Sequence, residues 1–202
     1  QVVIKFLNQQ LLNNPASVRR MRQEAFPLFH HDKMQQPVDY YEDDENIIVI
    51  KQFIAGKTLR ELLKTNIKQP VSFYVKCILL VAEMLEDFHR KGFVHCDLRP
   101  DNILVAYDES GKINYEYPDV HLLDFGLCRH LSSDEIYTTL PFSLMYSPPE
   151  QMLNYHALVR NTADIYSLAV TLYECLTGQP AFVSQNPEML MHLMLNQPLE
   201  KG

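Results

Sequence analysis

The feature that most constrains this sequence is an octapeptide of mainly polar residues, HCDLRPDN at 95–102, between two apolar segments. Residues 72–90 before it have the apolar spacing of a long amphipathic helix, and residues 103–106 after it resemble a short strand. Asp97 and Asn102 therefore lie in a short loop stiffened by a proline. Such a loop can place a carboxylate beside a hydroxyl proton and an amide oxygen on Mg²⁺, although a capped turn uses the same residue types.

A second polar cluster follows a buried strand. Asp124, Phe125 and Gly126 come directly after the strand-like residues 120–123, so a carboxylate leaves the strand into a glycine turn. That arrangement suits a metal ligand on a movable hinge. Lys5, at the end of an apolar strand, and Glu24, 19 residues further on, are weak signals alone. Strand lysines are mostly solvated, and helical glutamates are mostly surface charges.

The remaining pattern predicts a strand-rich part up to about residue 53 and a larger, mainly helical part after it. In the first part, residues 17–29 have helical spacing, but Pro27 should end that helix near Phe26. The other predicted elements are a strand at 2–7, a hairpin of 38–41 with 47–50, a short helix at 59–64, a buried helix at 163–177 and a last helix at 187–196.

Composition restricts the function. The chain has 202 residues, 47% of them hydrophobic, and a net charge of -7. An acidic protein of this kind is a poor nonspecific ligand for nucleic acid or anionic membranes, and no apolar run is long enough for a membrane span. The four cysteines form no C-x-x-C pair, which predicts reduced thiols in a cytoplasmic protein, without a zinc site or disulfides.

Taken together and in order, these motifs resemble the eukaryotic-type (Hanks-type) Ser/Thr protein kinase family over almost the whole chain. The resemblance implies an α+β, bilobal, protein-kinase-like fold in which both lobes are incomplete. Residues 1–53 would be a truncated, small, β-rich N-lobe with the third strand, helix C, the following strands and the hinge. Residues 54–202 would be the larger, mainly helical C-lobe without its last helices.

The resemblance also implies roles for the motif residues. Lys5 would bind the α- and β-phosphates of ATP and pair with Glu24. Asp97 would be the catalytic base that orients a protein hydroxyl, and Asn102 and Asp124 would hold Mg²⁺, or Mn²⁺ in its place. The implied partners are thus ATP and a protein substrate, with no nucleic acid and no membrane.

Further positions follow from the same match. Arg99 would place positive charge on the γ-phosphate. Backbone groups of Gln52 and Ile54 would bind adenine, with Val3 and Leu104 above and below its ring. Structural or regulatory roles fall on a further set of residues. They are His95, Phe125, Gly126, Ser143, Glu150 and Asp164, the last anchoring the backbone of the catalytic loop.

Several positions depart from the family pattern. Cys96 replaces the arginine of H-R-D, Arg99 replaces a lysine, and Lys51 falls at the gatekeeper position. Lys51 either pairs with a carboxylate or indicates that the register is off by one, because an unpaired buried ammonium is costly. Ser143 and Arg99 favour Ser/Thr over Tyr specificity. The arginines of the helix at 17–29 could bind a phosphate, but a solvated basic face is the favoured interpretation.

Two other functions stay open at this point. The departures, with no glycine-rich loop before Lys5, fit a pseudokinase or scaffold that binds a partner, with or without ATP, and transfers no phosphate. A small-molecule phosphotransferase of the aminoglycoside-kinase type shares the catalytic loop. It is disfavoured by residues 148–150, which stand in for A-P-E, and by the helix at 163–177.

Overall fold

The computed structural model describes residues 1–27, 29–65, 69–132, 144–153 and 159–197. In the first part of the chain, three antiparallel strands form a sheet in the order β1–β3–β2. The strands are β1 (Val2–Phe6), β2 (Pro37–Glu42) and β3 (Ile47–Gln52). The 3-10 turn Gln9–Leu11 and helix α1 (Pro15–Ala25) connect β1 to β2.

The bounds of helix α1 follow from the residues at its two ends. The side chain of Asn14 accepts hydrogen bonds from the backbone N–H groups of Ala16 and Ser17, and Pro15 occupies the first turn, where no N–H is needed. The helix ends at Ala25, two residues before Pro27. The predicted effect of the proline is therefore confirmed, and the apolar spacing continues beyond the real end of the helix.

The face of β3 toward α1 follows from strand alternation. Ile47, Val49 and Lys51 are buried, while the residues between them are partly exposed. Met21 and Ala25 of α1 pack on Ile47 and Val49 to form the small core of this part. Since successive strand residues point to opposite faces, Lys51 must point toward the helix.

The rest of the described chain combines helices with two small sheets, which confirms an α+β fold. One sheet has the order β4–β6–β7, and the other pairs β5 with β8. The strands are β4 (Gly56–Thr58), β5 (Phe93–Val94), β6 (Ile103–Ala106), β7 (Val120–Leu122) and β8 (Arg129–His130). The sequence did not predict β4, β5 or β8, because two- and three-residue strands have too few positions to show a period.

The main core lies around α3. Its side chains Phe73, Val81 and Phe88 have no exposed surface, and α3 packs against α5. The helices are α2 (Leu59–Leu63), α3 (Val71–Arg90), α4 (Pro149–Met152), α5 (Asn161–Thr177) and α6 (Pro187–Asn196). The 3-10 turn Pro100–Asn102 lies directly before β6. The predicted helix starts at 72 and 163 are thus one and two residues late, and the bounds of α6 are as predicted.

Candidate active site

Glu24 is the centre of a buried ion-pair network between the first sheet and α1. Its side chain is fully buried in the last turn of α1. Lys5 binds Oε1 of Glu24, and Lys51 binds Oε2. Both lysines lie on the same face of the sheet, because Val3 faces Lys51 and Lys5 faces Val49 across the paired strands. The structure therefore brings Lys5 and Glu24 together and adds a second lysine.

The open question about Lys51 is decided by this contact. Its side chain is 7% exposed, and it has a carboxylate partner in Glu24. The sequence contains a signal for this position: Lys51 continues the inward-facing series of Ile47 and Val49. A charged residue at an inward position of a strand must have a buried partner.

Arg20 is the third cation of the network, and the prediction of a solvated face is wrong for it. Its Nη2 lies 3.1 Å from Oδ2 of Asp124 and 3.6 Å from Oδ2 of Asp97. Its Nε is 3.9 Å from Oε1 of Glu24, one helical turn away. The spacing of four residues between Arg20 and Glu24 places both on one helix face, which is the signal that could have identified it. Arg22, by contrast, is exposed and pairs with Glu42.

Asp124 receives positive charge from three side chains. Its Oδ2 accepts from Lys5 at 3.3 Å as well as from Arg20, and its Oδ1 accepts from the N–H of Gly126 at 3.1 Å. Burial alone would raise the pKa of Asp124, but Lys5, Arg20 and Lys51 outweigh it and hold the pKa well below its usual range. Asp124 is therefore a carboxylate at neutral pH.

Lys5 shows the complementary effect. Burial lowers its pKa, but the carboxylates of Asp124 and Glu24 outweigh burial and raise it. The ammonium of Lys5 thus stays charged at neutral pH and bridges the sheet, α1 and the segment after β7. Lys5 and Asp124 thus stabilise the charged form of each other.

Gly126 permits close packing between α1 and the segment after β7. A Cβ atom at this position would lie 2.5 Å from Cγ of Arg20 and 2.8 Å from Oε1 of Glu24. Any side chain at this position would therefore displace the side chains of Arg20 and Glu24. Next to Gly126, the buried ring of Phe125 makes an edge contact with His95, with ring centres 4.9 Å apart.

Asp164 holds the backbone of the loop at 95–102. Its buried carboxylate accepts from the backbone N–H groups of His95 and Cys96, each at 2.9 Å, and contacts Nε2 of His89 at 2.8 Å. Cys96 has φ 64°, a left-handed conformation that costs a non-glycine residue about 1–2 kcal/mol. Hydrogen bonds to a carboxylate are strong enough to offset that cost. Asp124, with φ 57°, is the other described non-glycine residue in this conformation.

Asp97 and Asn102 are joined within the loop. The amide nitrogen of Asn102 donates to the backbone oxygen of Asp97 at 2.8 Å and to its Oδ2 at 3.0 Å. Nδ1 of His95 accepts from the N–H of Asp97 at 3.3 Å. The amide of Asn102 uses its nitrogen on Asp97, which keeps its oxygen for a ligand.

A cleft of about 460 Å³ opens beside these groups. Six residues predicted from the sequence line it, namely Val3, Lys5, Ile54, Asn102, Leu104 and Asp124. The predicted residue Gln52 is not among the lining residues, although its neighbours Lys51 and Phe53 are, and its backbone is in use. Its N–H donates to the oxygen of Gln36 at 2.9 Å, and its carbonyl accepts from the side chain of Gln35 at 3.0 Å. Only the second lone pair of that carbonyl remains for a ligand.

Two other predicted residues, Arg99 and Glu150, lie away from the network around Glu24. Arg99 binds Asp101 through Nε at 3.0 Å and Nη2 at 2.8 Å. Glu150 lies in the first turn of α4, where its charge and the burial of Tyr166 raise the pKa of that tyrosine to about 12, burial being the larger cause. Ser143 lies outside the described residues.

The sequence missed a second ion-pair network, in the helical part. Arg60 of α2 binds Glu174 of α5 and the hydroxyl of Tyr146, and its Nε lies 3.3 Å from Asp101. The hydroxyl of Tyr146 also donates to Glu174 at 2.5 Å. Arg60 and Glu174 are 114 residues apart, so no local spacing could have predicted this pair.

The oxygen ligands of the cleft fit a magnesium ion. A carboxylate at Asp124 and an amide oxygen at Asn102 are the hard donors that Mg²⁺ prefers, and Mg²⁺ keeps water in its other positions. Among the described residues, no group of three or more His, Cys, Asp or Glu side chains could hold a metal ion. The donor chemistry of the cleft therefore suits a magnesium site with two protein ligands, the carboxylate of Asp124 and the amide oxygen of Asn102.

The structure combines a small sheet and its flanking helix with a mainly helical part. Lys5 and Asp124 line the cleft, Glu24 pairs with Lys5, and Arg20 contacts both Asp124 and Asp97. These features define a protein of the kinase fold class. Comparison with known families agrees: residues 1–201 match the model of the protein kinase domain. The chain therefore belongs to the protein kinase domain family.

Curated relatives carry the same type of name. Human serine/threonine-protein kinase ULK3 is 32% identical over 189 residues, covering 92% of this chain and 38% of its own. A Clostridium perfringens protein named as a probable serine/threonine-protein kinase is 29% identical over 190 residues, covering 92% of this chain and 26% of its own. Human serine/threonine-protein kinase ULK1 is 26% identical, with 94% and 18% covered. The chain thus spans well under half the length of these relatives.

One further structural finding concerns membranes. In the part of the chain that the structure describes, no helix is long and apolar enough to cross a bilayer.

Proposed function

We propose that this chain is part of the catalytic domain of a Ser/Thr protein kinase, which transfers the γ-phosphate of ATP to hydroxyl groups of proteins. The observation that carries the proposal is the convergence of Lys5, Asn102 and Asp124 on one cleft, with Asp97 bonded to Asn102. Phosphoryl transfer requires alignment and charge neutralisation more than covalent chemistry, and these groups supply both.

Each residue of the network has a defined task in this proposal. Lys5, held by Glu24, binds phosphate oxygens of the nucleotide. Asp97, held by Asn102, accepts a hydrogen bond from the substrate hydroxyl, orients its oxygen toward the phosphorus and takes its proton. Mg²⁺, held by Asp124 and Asn102 when bound, supplies neutralisation of the phosphate charge; Mn²⁺ has the same ligand preference.

The cleft provides the surfaces for adenine. Val3 and Leu104 both line the cleft and are apolar, and Leu104 is almost fully buried. In the proposed complex the ring lies between them, with polar contacts from the free lone pair of Gln52 and the backbone of Ile54. Arg99 stays near the loop and contributes positive charge toward the γ-phosphate from its position beside Asp101.

The supporting residues act through the loops. Asp164 fixes the backbone at His95 and Cys96, and therefore the direction of Asp97. Phe125 packs on His95 and couples that loop to Asp124. For Ser143 and Glu150 we retain the proposal of structural or regulatory roles in the segment that faces a protein substrate.

The proposal is tested with the full-length protein that contains this chain. Wild type should phosphorylate itself or a generic basic protein with Mg·ATP, and Asp97→Asn should lower the rate by at least about 100-fold, the usual worth of a general base. Glu86→Gln, on the exposed side of α3, is a matched charge-removing control and should leave the rate unchanged. Nucleotide affinity of Asp97→Asn, measured with a fluorescent ATP analogue, should stay within about threefold, since Asp97 touches the hydroxyl and not adenine.

One structural observation favours the alternative of a pseudokinase or scaffold. Arg20 lies against Asp124 and Asp97, the carboxylates that phosphoryl transfer needs. If wild type and Asp97→Asn are equally inactive while both bind ATP, the kinase proposal fails and the scaffold is adopted.

We further propose that the protein is located in the cytoplasm. All four cysteines are buried free thiols, which suits a reducing compartment. ATP and protein substrates are the expected partners, and the acidic composition gives nucleic acid no role.

A further inference from the structure

The position of Arg20 has a consequence for metal binding. Its guanidinium lies between two carboxylates, with Nη2 3.1 Å from Asp124 and 3.6 Å from Asp97. Asp124 is a proposed metal ligand, and both of its oxygens are in use. Oδ2 accepts from Lys5 and Arg20, and Oδ1 accepts from the N–H of Gly126. A divalent cation that binds Asp124 must therefore replace a contact that already exists.

Within the ion-pair network around Glu24, the described carboxylates and cations are equal in number. Three carboxylates, Glu24, Asp97 and Asp124, contact three cations, Lys5, Lys51 and Arg20. A metal ion would add two positive charges to this group. Since like charges at 4 Å repel by about 4 kcal/mol at an effective dielectric constant of 20, one cation of the protein has to leave.

Arg20 is the cation that can leave. Its side chain is 23% exposed, whereas Lys51 is 7% exposed and bound to the fully buried Glu24. Arg20 reaches Asp124 through one nitrogen only, and its Nε has no hydrogen-bond partner among the described residues. A guanidinium with one close contact and one unsatisfied buried nitrogen gains hydrogen bonds by moving toward water.

We propose that Arg20 competes with a divalent cation for Asp124 and Asp97, and that this competition sets the metal affinity of the site. The inference rests on the proposed function for the identity of the site. It makes Arg20 the residue that must move before metal and nucleotide bind together. Lys51, in contrast, stays on Glu24 in both states and keeps α1 in place while Arg20 moves.

The experiment measures binding of Mn²⁺ alone, without nucleotide, to the full-length protein, from the electron paramagnetic resonance signal of free Mn²⁺. Arg20→Gln removes the charge and keeps a long polar side chain, and it should bind Mn²⁺ about tenfold more tightly than wild type. Arg22→Gln removes a charge from the exposed side of the same helix and should bind as wild type does. Asp124→Asn should abolish the tightened binding in the Arg20→Gln background, which assigns it to this site. Equal affinity of wild type and Arg20→Gln, or weaker affinity in the variant, overturns the proposal.

A second measurement needs no variant and covers the case in which Arg20→Gln does not fold. Phenylglyoxal modifies exposed guanidinium groups, and mass spectrometry reports the extent at each arginine. Adding Mg²⁺ to wild type should accelerate modification of Arg20 at least about threefold and leave Arg22 unchanged, because the metal releases Arg20 from Asp124. No acceleration at Arg20 overturns the proposal.

The outcome is separable from that of the proposed function. Tighter Mn²⁺ binding by Arg20→Gln in a protein with no phosphoryl transfer sustains the competition and rejects the kinase. If phosphoryl transfer depends on Asp97 but Arg20→Gln does not change the metal affinity, the kinase proposal is sustained and the competition is rejected.

Discussion

The ammonium of Lys51 binds Oε2 of Glu24 across the buried face of the first sheet. The same carboxylate binds Lys5 through its other oxygen, so one buried glutamate serves two lysines. Removing a charged side chain from water costs several kcal/mol, and a carboxylate between two ammonium groups offsets that cost for both. The contact places a charge among the residues that line the cleft.

The two partners in this contact should differ in their effect on stability. Glu24→Gln leaves two lysines beside a neutral amide and should destabilise the fold by about 3 kcal/mol. Lys51→Met fills the same space without charge and leaves Glu24 its partner Lys5, so the change should stay below about 1 kcal/mol. Urea unfolding followed by circular dichroism measures both. If Lys51→Met lowers the free energy of unfolding as much as Glu24→Gln does, then Lys51, and not Lys5, keeps Glu24 buried.

Asp164 should matter for stability and for the loop it holds. Asp164→Ala leaves two buried backbone N–H groups of His95 and Cys96 without an acceptor, and it should cost about 3 kcal/mol or more. Ser167→Ala, one turn further along α5, removes only a hydroxyl that donates to the oxygen of Ala163, and it should cost about 1 kcal/mol or less. Thermal unfolding compares the two. Equal effects would contradict a special role of the carboxylate.

The Arg60–Glu174 pair permits a double-mutant cycle. Arg60→Met leaves the almost fully buried Glu174 with the hydroxyl of Tyr146 as its remaining partner among the described residues, and it should destabilise the fold by about 3 kcal/mol. Glu174→Leu should have a smaller effect, because Arg60 keeps Asp101. The double variant should recover at least about 1 kcal/mol of the summed losses, since neither charge then remains. Strict additivity in chemical unfolding would mean that the two side chains do not interact.

The cysteines should make the fold sensitive to alkali. Burial raises the pKa of Cys77 and of Cys175 to about 12 from an ordinary 9.0, and it also raises the pKa of Cys96 and Cys128. A raised pKa in the folded state means that the unfolded chain loses protons first. The stability is therefore complete below pH 9 and falls as the pH rises toward 12. Unfolding free energies at pH 8, 9 and 10 check the direction.

The same burial predicts slow thiol chemistry. At pH 8 the folded protein should react with iodoacetamide at least about tenfold more slowly than the urea-unfolded protein, because thiolate and access are both lacking. Rapid alkylation of Cys96 or Cys128 in the folded state would instead support a redox role beside the active site.

The sequence was informative where chemistry depends on short segments. The loop at 95–102 and the segment from Asp124 to Gly126 carry their residue types in consecutive positions, and a strand or helix on either side fixes where they begin. The bounds of α6 and β6 were predicted for the same reason: a period of several residues is visible in the chain itself. The short strands β4, β5 and β8 have no such period and depend on partners found only in the fold.

The partners of the charged residues could not be predicted from the sequence. The sequence by itself determined the protein kinase family, the order of its motifs and an inward position for Lys51 on β3. Only the tertiary structure decided that Lys51 binds Glu24, that Arg20 turns inward to Asp124 and that Arg60 binds Glu174. These contacts join residues 27, 104 and 114 positions apart. Electrostatic attraction has no preferred direction, and a long lysine or arginine side chain can reach several neighbours. The packing of the sheet and helices therefore decides which carboxylate comes within contact distance of each cation.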